Sequence, residues 1–136
     1  LSNEQYEIKQ FLKAKKTKMS FNSAPNKHIQ HLFNLISEEN IHHNPLLNRE
    51  IVAEKLGISV GYLSQLIKET SYKNLSDLIN YYRIEDVKQM ILNPEFTNYS
   101  LLAIGLEVGF NSKATFYNAF KKATGVTPNQ YKKQFL

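Results

Sequence analysis

The sequence predicts an all-α fold of seven helices. Apolar residues recur at three- and four-residue spacing along most of the chain, whereas the period-two alternation of a half-buried strand is scarce. Helix-capping residues, glycine and proline divide this pattern into segments of helical length. The chain has 136 residues and 42% hydrophobic content, enough for one domain or for two small subdomains that share an element.

The first three helices have boundaries set by proline, capping residues and glycine. Pro25 suits the first turn of the first helix, and Asn48 and Ser59 cap the second and third helices. Gly57 stops the second helix because glycine readily adopts a left-handed backbone conformation. The predicted spans are 25–40, 49–56 and 60–71.

The remaining four helices have equally clear signals. Asn74 begins a long fourth helix, which Asn93 and the following proline end, and Ser100 caps the fifth helix. The last helix combines Thr127 as cap with Gln130 three residues later, a capping-box pattern. The predicted spans are 75–92, 101–108, 112–124 and a last helix starting at residue 128.

The long fourth helix has an apolar stripe that changes face. Its first half places these apolar residues on one side: Leu75, Leu78, Ile79 and Tyr82. Its second half uses Val87, Met90 and Ile91, on a side rotated by roughly a third of a turn or more. We therefore expect this helix to connect two subdomains. The expected regions are a basic tail (1–24), a first subdomain (25–74), the connecting helix (75–93) and a second subdomain (94–136).

One helical unit occurs twice in the chain. Gly57 and Gly109 each follow a small residue four positions back, Ala53 in the first copy and Gly105 in the second. Downstream, an apolar trio recurs if one extra residue is allowed in the second turn: Leu63, Leu66 and Ile67, then Phe116, Ala119 and Phe120. In the second copy Ala123 is expected to extend the same core face. Each unit is a helix, a short turn containing glycine, and a second helix, which is the helix-turn-helix layout.

The second helix of each unit has an outward face of matching character. The faces consist of Gly61, Ser64, Gln65 and Lys68 in the first copy, and Ala114, Tyr117, Asn118 and Lys121 in the second. A small residue permits close approach to a surface, an amide can bond bidentately to adenine, and lysine can reach phosphate or guanine. These faces are candidate major-groove readers, although a polar exposed face is also the norm for any surface helix.

Charge is distributed unevenly along the chain. The net charge is +5 and the pI about 9.3, which favours anionic partners. No acidic residue follows Glu107, whereas the first unit is close to neutral. The second unit is therefore expected to supply most of the attraction to phosphate, and the first to tune sequence choice.

Several classes of function are disfavoured by what the sequence contains. The chain has no cysteine, which rules out thiolate chemistry, and it shows neither a phosphate-cradling glycine loop nor a Ser/His/Asp constellation. We therefore expect no enzyme activity and no cofactor. The longest apolar run, around Leu101 to Leu106, is far shorter than the roughly 20 residues that cross a bilayer. Cytoplasm is the expected location.

A few residues allow further interpretations. The four histidines make a metal site conceivable, but no ligand partner stands at suitable spacing, so surface histidines are expected: His28, His31, His42 and His43. Arg83 could approach DNA or pair with Asp86.

The basic tail also allows two interpretations. It could form a basic amphipathic helix, or it could connect to an upstream domain; the apolar residues among its lysines are Tyr6, Ile8, Phe11 and Leu12. The second helices of the two repeated units could also bind a protein rather than DNA.

Three stretches resemble the AraC/XylS family of bacterial transcription regulators. They are "YLSQLIKET", "RIEDVKQMIL" and above all "EVGFNSKATFYNAFKKATGVTPNQYKK", within a match that covers about residues 25–133. The resemblance implies two helix-turn-helix subdomains, joined by a long helix, that bind adjacent major grooves of double-stranded promoter DNA. It further implies RNA polymerase as a candidate partner and a sensor or dimerisation domain before Leu1.

The resemblance also implies particular contact residues. The first reading helix offers Val60, Gly61, Tyr62, Ser64 and Gln65, and the second offers Lys113, Ala114, Thr115, Tyr117 and Asn118. The chain departs from the family at some positions. Members often have arginine or lysine where Gln65 and Asn118 stand, glycine where Tyr72 stands and alanine where Gly105 stands.

Overall fold

The computed structural model describes residues 26–135, which form seven α-helices and contain no strand. The helices are α1 (Lys27–Glu39), α2 (Arg49–Leu56), α3 (Val60–Lys68), α4 (Leu75–Leu92), α5 (Leu101–Glu107), α6 (Lys113–Thr124) and α7 (Pro128–Phe135). Short 3₁₀ turns follow α1 at Ile41–His43 and α4 at Pro94–Phe96. The all-α prediction is confirmed. The predicted tail (1–24) and Pro25 lie outside the described residues.

Capping side chains define most helix starts as predicted. Asn48 Oδ1 accepts from the Ile51 amide at 2.8 Å, and Ser59 Oγ accepts from the Tyr62 amide at 3.1 Å. The capping box of α7 is complete, since the Thr127 amide donates to Gln130 Oε1 at 2.9 Å and the Gln130 amide donates to Thr127 Oγ1 at 3.1 Å. These bonds satisfy amides that have no partner within their own helix.

Two helix ends differ from the predictions. Asn26 caps α1, with its Oδ1 accepting from the amides of His28 and Ile29. Helix α3 ends at Lys68 rather than near residue 71, because the following amides bond to carbonyls three residues back, as in the 3.1 Å bond from Glu69 to Leu66. The Thr70 hydroxyl also donates to the Ile67 carbonyl, at 2.5 Å. These bonds tighten the chain and close the helix.

The described residues divide into two compact units, each of which contains one copy of the repeated helix-turn-helix. Unit 1 contains residues 26–41 and 47–78, and unit 2 contains residues 42–46 and 79–135. In unit 1 the buried apolar side chains come from α1, the turn after it, α2, α3 and the start of α4: Ile29, Leu32, Phe33, Leu35, Ile36, Ile41, Val52, Ala53, Leu56, Leu63, Leu66, Ile67 and Leu78. Gly57 closes α2 with φ of 70°, the left-handed conformation expected from the sequence.

The core of unit 2 is rich in aromatic side chains. It consists of Ile84, Val87, Ile91, Ile104, Val108, Phe110, Phe116 and Phe120. Of the predicted core face of α6, Phe116 and Phe120 are fully buried and Ala119 packs against the cluster, but Ala123 is exposed. No helix of the described residues is both long enough and apolar enough to cross a membrane.

Residues 42–46 are tied to α4 within unit 2. Arg83 is buried, and its Nε donates to the His42 carbonyl at 2.6 Å while a terminal nitrogen donates to the Asn44 carbonyl at 3.0 Å. Gly109 allows this close packing, because an added Cβ would meet the His42 carbonyl oxygen. Burial lowers the pKa of Arg83. Arg83 thus bonds to backbone carbonyls rather than to Asp86, and the Asp86 carboxylate bonds to other side chains.

Candidate nucleic-acid interface

The predicted reading face of α3 lies on the surface of unit 1. Leu63, Leu66 and Ile67 are buried, and α3 packs against α2. The opposite face is exposed at all four predicted positions: Gly61, Ser64, Gln65 and Lys68. Val60, at the start of the helix, is half-buried. The side chains named for base and phosphate contact on α3 are therefore accessible.

Neither packing nor backbone conformation requires a glycine at position 61. A Cβ added there would meet nothing within 4 Å, and the backbone does not require positive φ. By contrast, a Cβ at Gly105 would lie 2.6 Å from Cγ of Phe116, so glycine at that position leaves the space that the Phe116 ring occupies. A glycine that the fold does not need, at the start of an exposed helix, leaves room for a close approach by another molecule.

Tyr62 is positioned by the N-terminus of α1. Its side chain is 40% exposed, and its hydroxyl accepts a hydrogen bond from Asn26 Nδ2 at 3.3 Å. The His28 ring meets the tyrosine ring edge to face, with 5.9 Å between centroids. Since Asn26 Oδ1 caps α1 at the same time, one side chain orders both the helix start and the tyrosine.

The predicted reading face of α6 is exposed at most positions of unit 2. Ala114, Asn118 and Lys121 are exposed, as are Lys113 and Thr115 near the helix start. Ser112 caps the helix by accepting from the Thr115 amide, and its hydroxyl donates to Thr115 Oγ1 at 3.0 Å. Within the described residues, neither Lys68 on α3 nor Lys121 on α6 forms an ion pair.

Tyr117 differs from the rest of this face because it is half-buried. Its ring packs against the core of unit 2 and meets Phe116 edge to face at 5.4 Å. Lys113 Nζ lies 5.4 Å from the ring centroid, within cation–π range. The hydroxyl accepts from Asn129 Nδ2 of α7 at 3.4 Å. The expectation of a fully outward tyrosine is corrected: only part of this side chain is available to a partner.

Some residues near these faces were not identified from the sequence. Asn26 and His28 beside Tyr62, and Asn129 beside Tyr117, are brought there by packing between helices. In each unit an asparagine amide from another helix holds a tyrosine of the exposed helix. Nothing in the spacing along the chain signals such a contact.

A second polar cluster lies in unit 2, away from α6. Nε2 of His42 and Nε2 of His43 lie 2.7 Å and 2.6 Å from the same oxygen, Oδ2 of Asp86. Burial lowers the pKa of His42 despite the nearby carboxylate. Burial raises the pKa of Asp86, but the hydrogen bonds from the two histidines outweigh it, so this pKa lies below its usual value. The sequence did not reveal this carboxylate partner, which is 43 residues beyond His43.

Comparison with known protein families identifies relatives that share this helical arrangement. A family model described as a helix-turn-helix domain matches residues 52–134, well over half of the chain. An uncharacterized HTH-type transcriptional regulator from Pseudoalteromonas carrageenovora is 35% identical over 89 residues, covering 65% of this chain and 51% of the relative. The melibiose operon regulatory protein of Escherichia coli K12 is 30% identical over 82 residues, covering 60% of this chain and 26% of that protein. The chain thus spans about half or less of the length of these relatives.

Solved structures give the same result. The C-terminal domain of AraT, a response regulator from Geobacillus stearothermophilus, is 30% identical with a TM-score of 0.70, over 80% of this chain and 86% of that chain. An AraC-type DNA-binding protein from Chromobacterium violaceum, at 24% identity and a TM-score of 0.66, shares the fold over 79% of this chain and 91% of its own. The family is one of regulators that bind DNA rather than of enzymes. The chain belongs to the AraC-type helix-turn-helix family of DNA-binding transcription regulators.

Proposed function

We propose that this chain recognises specific promoter sequences by inserting α3 and α6 into adjacent major grooves of double-stranded DNA. The observation that carries the proposal is the repeated face: each unit exposes a small residue, an amide and a lysine on the second helix of its helix-turn-helix. Side chains of these types read base edges and phosphates in a major groove.

The proposed contacts divide by chemistry. Gln65 and Asn118 are the base readers, because a carboxamide can bond to both polar atoms of adenine in the major groove. Lys68 and Lys121 reach phosphate or guanine, and Gly61 and Ala114 allow the helix starts to approach the DNA closely. Val60, Tyr62, Lys113, Thr115 and the accessible part of Tyr117 complete the set.

The two units are proposed to contribute unequally. No acidic residue follows Glu107, so α6 and α7 present only positive side chains among their charged residues. In the first unit Glu50, Glu54 and Glu69 offset most of the lysines and arginine. We infer that unit 2 supplies most of the salt-dependent attraction and that unit 1 mainly discriminates between sequences.

Binding to adjacent major grooves sets the expected spacing of the two half-sites. Successive major grooves on one side of DNA lie roughly 34 Å, or one helical turn, apart. The proposed operator therefore contains two short recognised segments about one helical turn apart.

Further aspects concern the whole protein. The relatives are longer than this chain, and one of them is named for regulation of an operon. We propose an upstream sensor or dimerisation domain, RNA polymerase as a further partner, and action in the cytoplasm. These follow from membership of a family of bacterial transcription regulators.

Selection of bound duplexes from a random pool tests the proposal directly. We expect two conserved segments whose centres lie about one turn apart, with a weaker base preference within one segment in Gln65→Ala and within the other in Asn118→Ala. Lys27→Ala on α1 serves as a surface control that leaves both segments intact. A pool that yields no preferred sequence, with binding abolished by excess competitor DNA, would contradict specific recognition. Binding of the same faces to a protein would appear instead as retention on that protein in the presence of competitor.

A further inference from the structure

The His42, His43 and Asp86 cluster brings three metal-ligating side chains to one point. One ligand atom from each side chain lies within 4.8 Å of the others. Two imidazole nitrogens and one carboxylate oxygen are ligands that zinc and neighbouring divalent transition metals accept. The chain has no cysteine, so a thiolate is not among the ligands that it can offer.

The backbone around these histidines is held in place. His42 and His43 belong to the 3₁₀ turn Ile41–His43, and Arg83 Nε binds the His42 carbonyl at 2.6 Å. Gly109 lies directly against that carbonyl. The turn therefore presents both imidazoles toward α4, where Asp86 stands, without depending on the site for its own conformation.

The cluster is also open on one side. The His42 side chain is almost fully buried, but those of His43 and Asp86 are 33% and 22% exposed. This opening gives an ion a path to the ligands and leaves room for water to complete its coordination. A site with three protein ligands and an open position has the composition of many zinc centres.

We propose that His42, His43 and Asp86 form a binding site for a single divalent transition-metal ion such as Zn²⁺. In the structure each Nε2 donates its proton to Asp86 Oδ2, at 2.7 Å and 2.6 Å. An ion bound to all three atoms would hold them about 3.3 Å apart, given bonds of roughly 2.0–2.1 Å. Each of the two Nε2–Oδ2 distances therefore needs to lengthen by less than 1 Å, a movement that the open side allows.

Binding requires each imidazole to present the lone pair of Nε2 to the ion. The proton on each Nε2 moves to Nδ1, so both rings stay neutral and the carboxylate stays ionised. Nδ1 of His42 is buried and has no hydrogen-bond partner. An N–H at that position lacks the acceptor that usually orients a ligating histidine. Arg83 adds a positive charge nearby. Both features weaken the site relative to a dedicated structural zinc centre.

The consequence of binding is local. The ion links residues 42–46 to α4 inside unit 2, in parallel with the two bonds from Arg83. We expect slower amide hydrogen exchange at His43 and Asn44 when Zn²⁺ is present, because opening of this segment then requires release of the ion.

Calorimetric titration of the untagged chain with Zn²⁺ tests the site, with His43→Ala and Asp86→Asn as variants. We expect one ion per chain for the wild type and affinity more than about tenfold weaker in both variants. Co²⁺ provides a second readout, because a bound ion with nitrogen and oxygen ligands gives visible d–d absorption that the variants lose. Melting of each variant without metal establishes that it is folded.

His31→Ala is the matched control, since His31 is exposed on α1 and lies outside the cluster. Unchanged binding in this variant, together with loss in His43→Ala, supports the assignment. The assignment is overturned if the wild type shows no saturable binding, if both cluster variants bind as well as the wild type, or if the His31 variant is the one that loses the ion.

Discussion

Gly105 on α5 and Phe116 on α6 fit together so closely that glycine cannot be replaced without a shift of the ring. An added Cβ would lie 2.6 Å from Cγ of Phe116, whose side chain is fully buried. The aligned positions in unit 1 are Ala53 and Leu63, which are both buried. The first copy thus pairs alanine with leucine, whereas the second pairs glycine with the larger phenylalanine.

This fit predicts that the effect of Gly105→Ala on stability changes sign when Phe116 is replaced by leucine. Gly105→Ala should lower the free energy of unfolding by about 1–2 kcal/mol, because overpacking costs about 1–3 kcal/mol and the gain in helix propensity is about 1 kcal/mol at most. In Phe116→Leu the same substitution should instead raise stability, by up to about 1 kcal/mol. Urea unfolding followed by circular dichroism measures both. Equal effects in the two backgrounds would refute the coupling.

The glycines that end α2 and α5 predict unequal costs. Gly57 has φ of 70° and an added Cβ would meet nothing within 4 Å. Gly109 has φ of 112°, and its Cβ would meet the His42 carbonyl and lie 2.8 Å from Arg83 Nε. Gly57→Ala should cost about 1–2 kcal/mol of backbone strain. Gly109→Ala should cost roughly 2 kcal/mol more, since overpacking is added.

Thermal and urea unfolding of the two alanine variants provide the comparison. Each glycine occupies the corresponding position of its unit, so each variant controls for the other. Similar losses in both would show that the contact of Gly109 with the His42 carbonyl contributes little to stability.

The charge asymmetry predicts different salt dependence for two lysines. Lys121→Ala should reduce the slope of log affinity against log salt concentration by about 1, because one phosphate contact is lost. Lys68→Ala should change that slope less, since the first unit is nearly neutral. Affinity for one duplex, measured across a series of salt concentrations, gives both slopes. Equal changes would remove the proposed division between the units.

The two amides predict a loss of sequence discrimination. Gln65→Ala and Asn118→Ala should each weaken binding to the preferred duplex by about 1–3 kcal/mol and relax the preference at the base pairs they read. Competition with duplexes that carry single base-pair changes measures this. Lys121→Ala is a useful contrast, because loss of a phosphate contact weakens binding to every sequence alike. Retained preferences in both amide variants would assign base reading to other side chains.

Much of the local structure could be predicted from residue types close in the chain. Caps such as Asn48, Ser59 and Thr127 act on amides within three residues, so their partners are visible in the sequence. The apolar spacing identified the buried faces of α3 and α6, apart from Ala123. The end of α3 was placed too late because the tightening bonds of Glu69 and Thr70 leave no strong compositional signal.

By itself, the sequence determined the helical fold, the repeated helix-turn-helix unit and the exposed faces of α3 and α6, since all of these follow from short-range periodicity and capping. Only the tertiary structure decided that Tyr117 is half-buried and bonded to Asn129, that Asn26 bonds to Tyr62, and that Asp86 bonds to both His42 and His43. The physical reason is distance along the chain. Contacts between residues 12 to 44 positions apart depend on how whole helices pack, and no pattern within one helix encodes them.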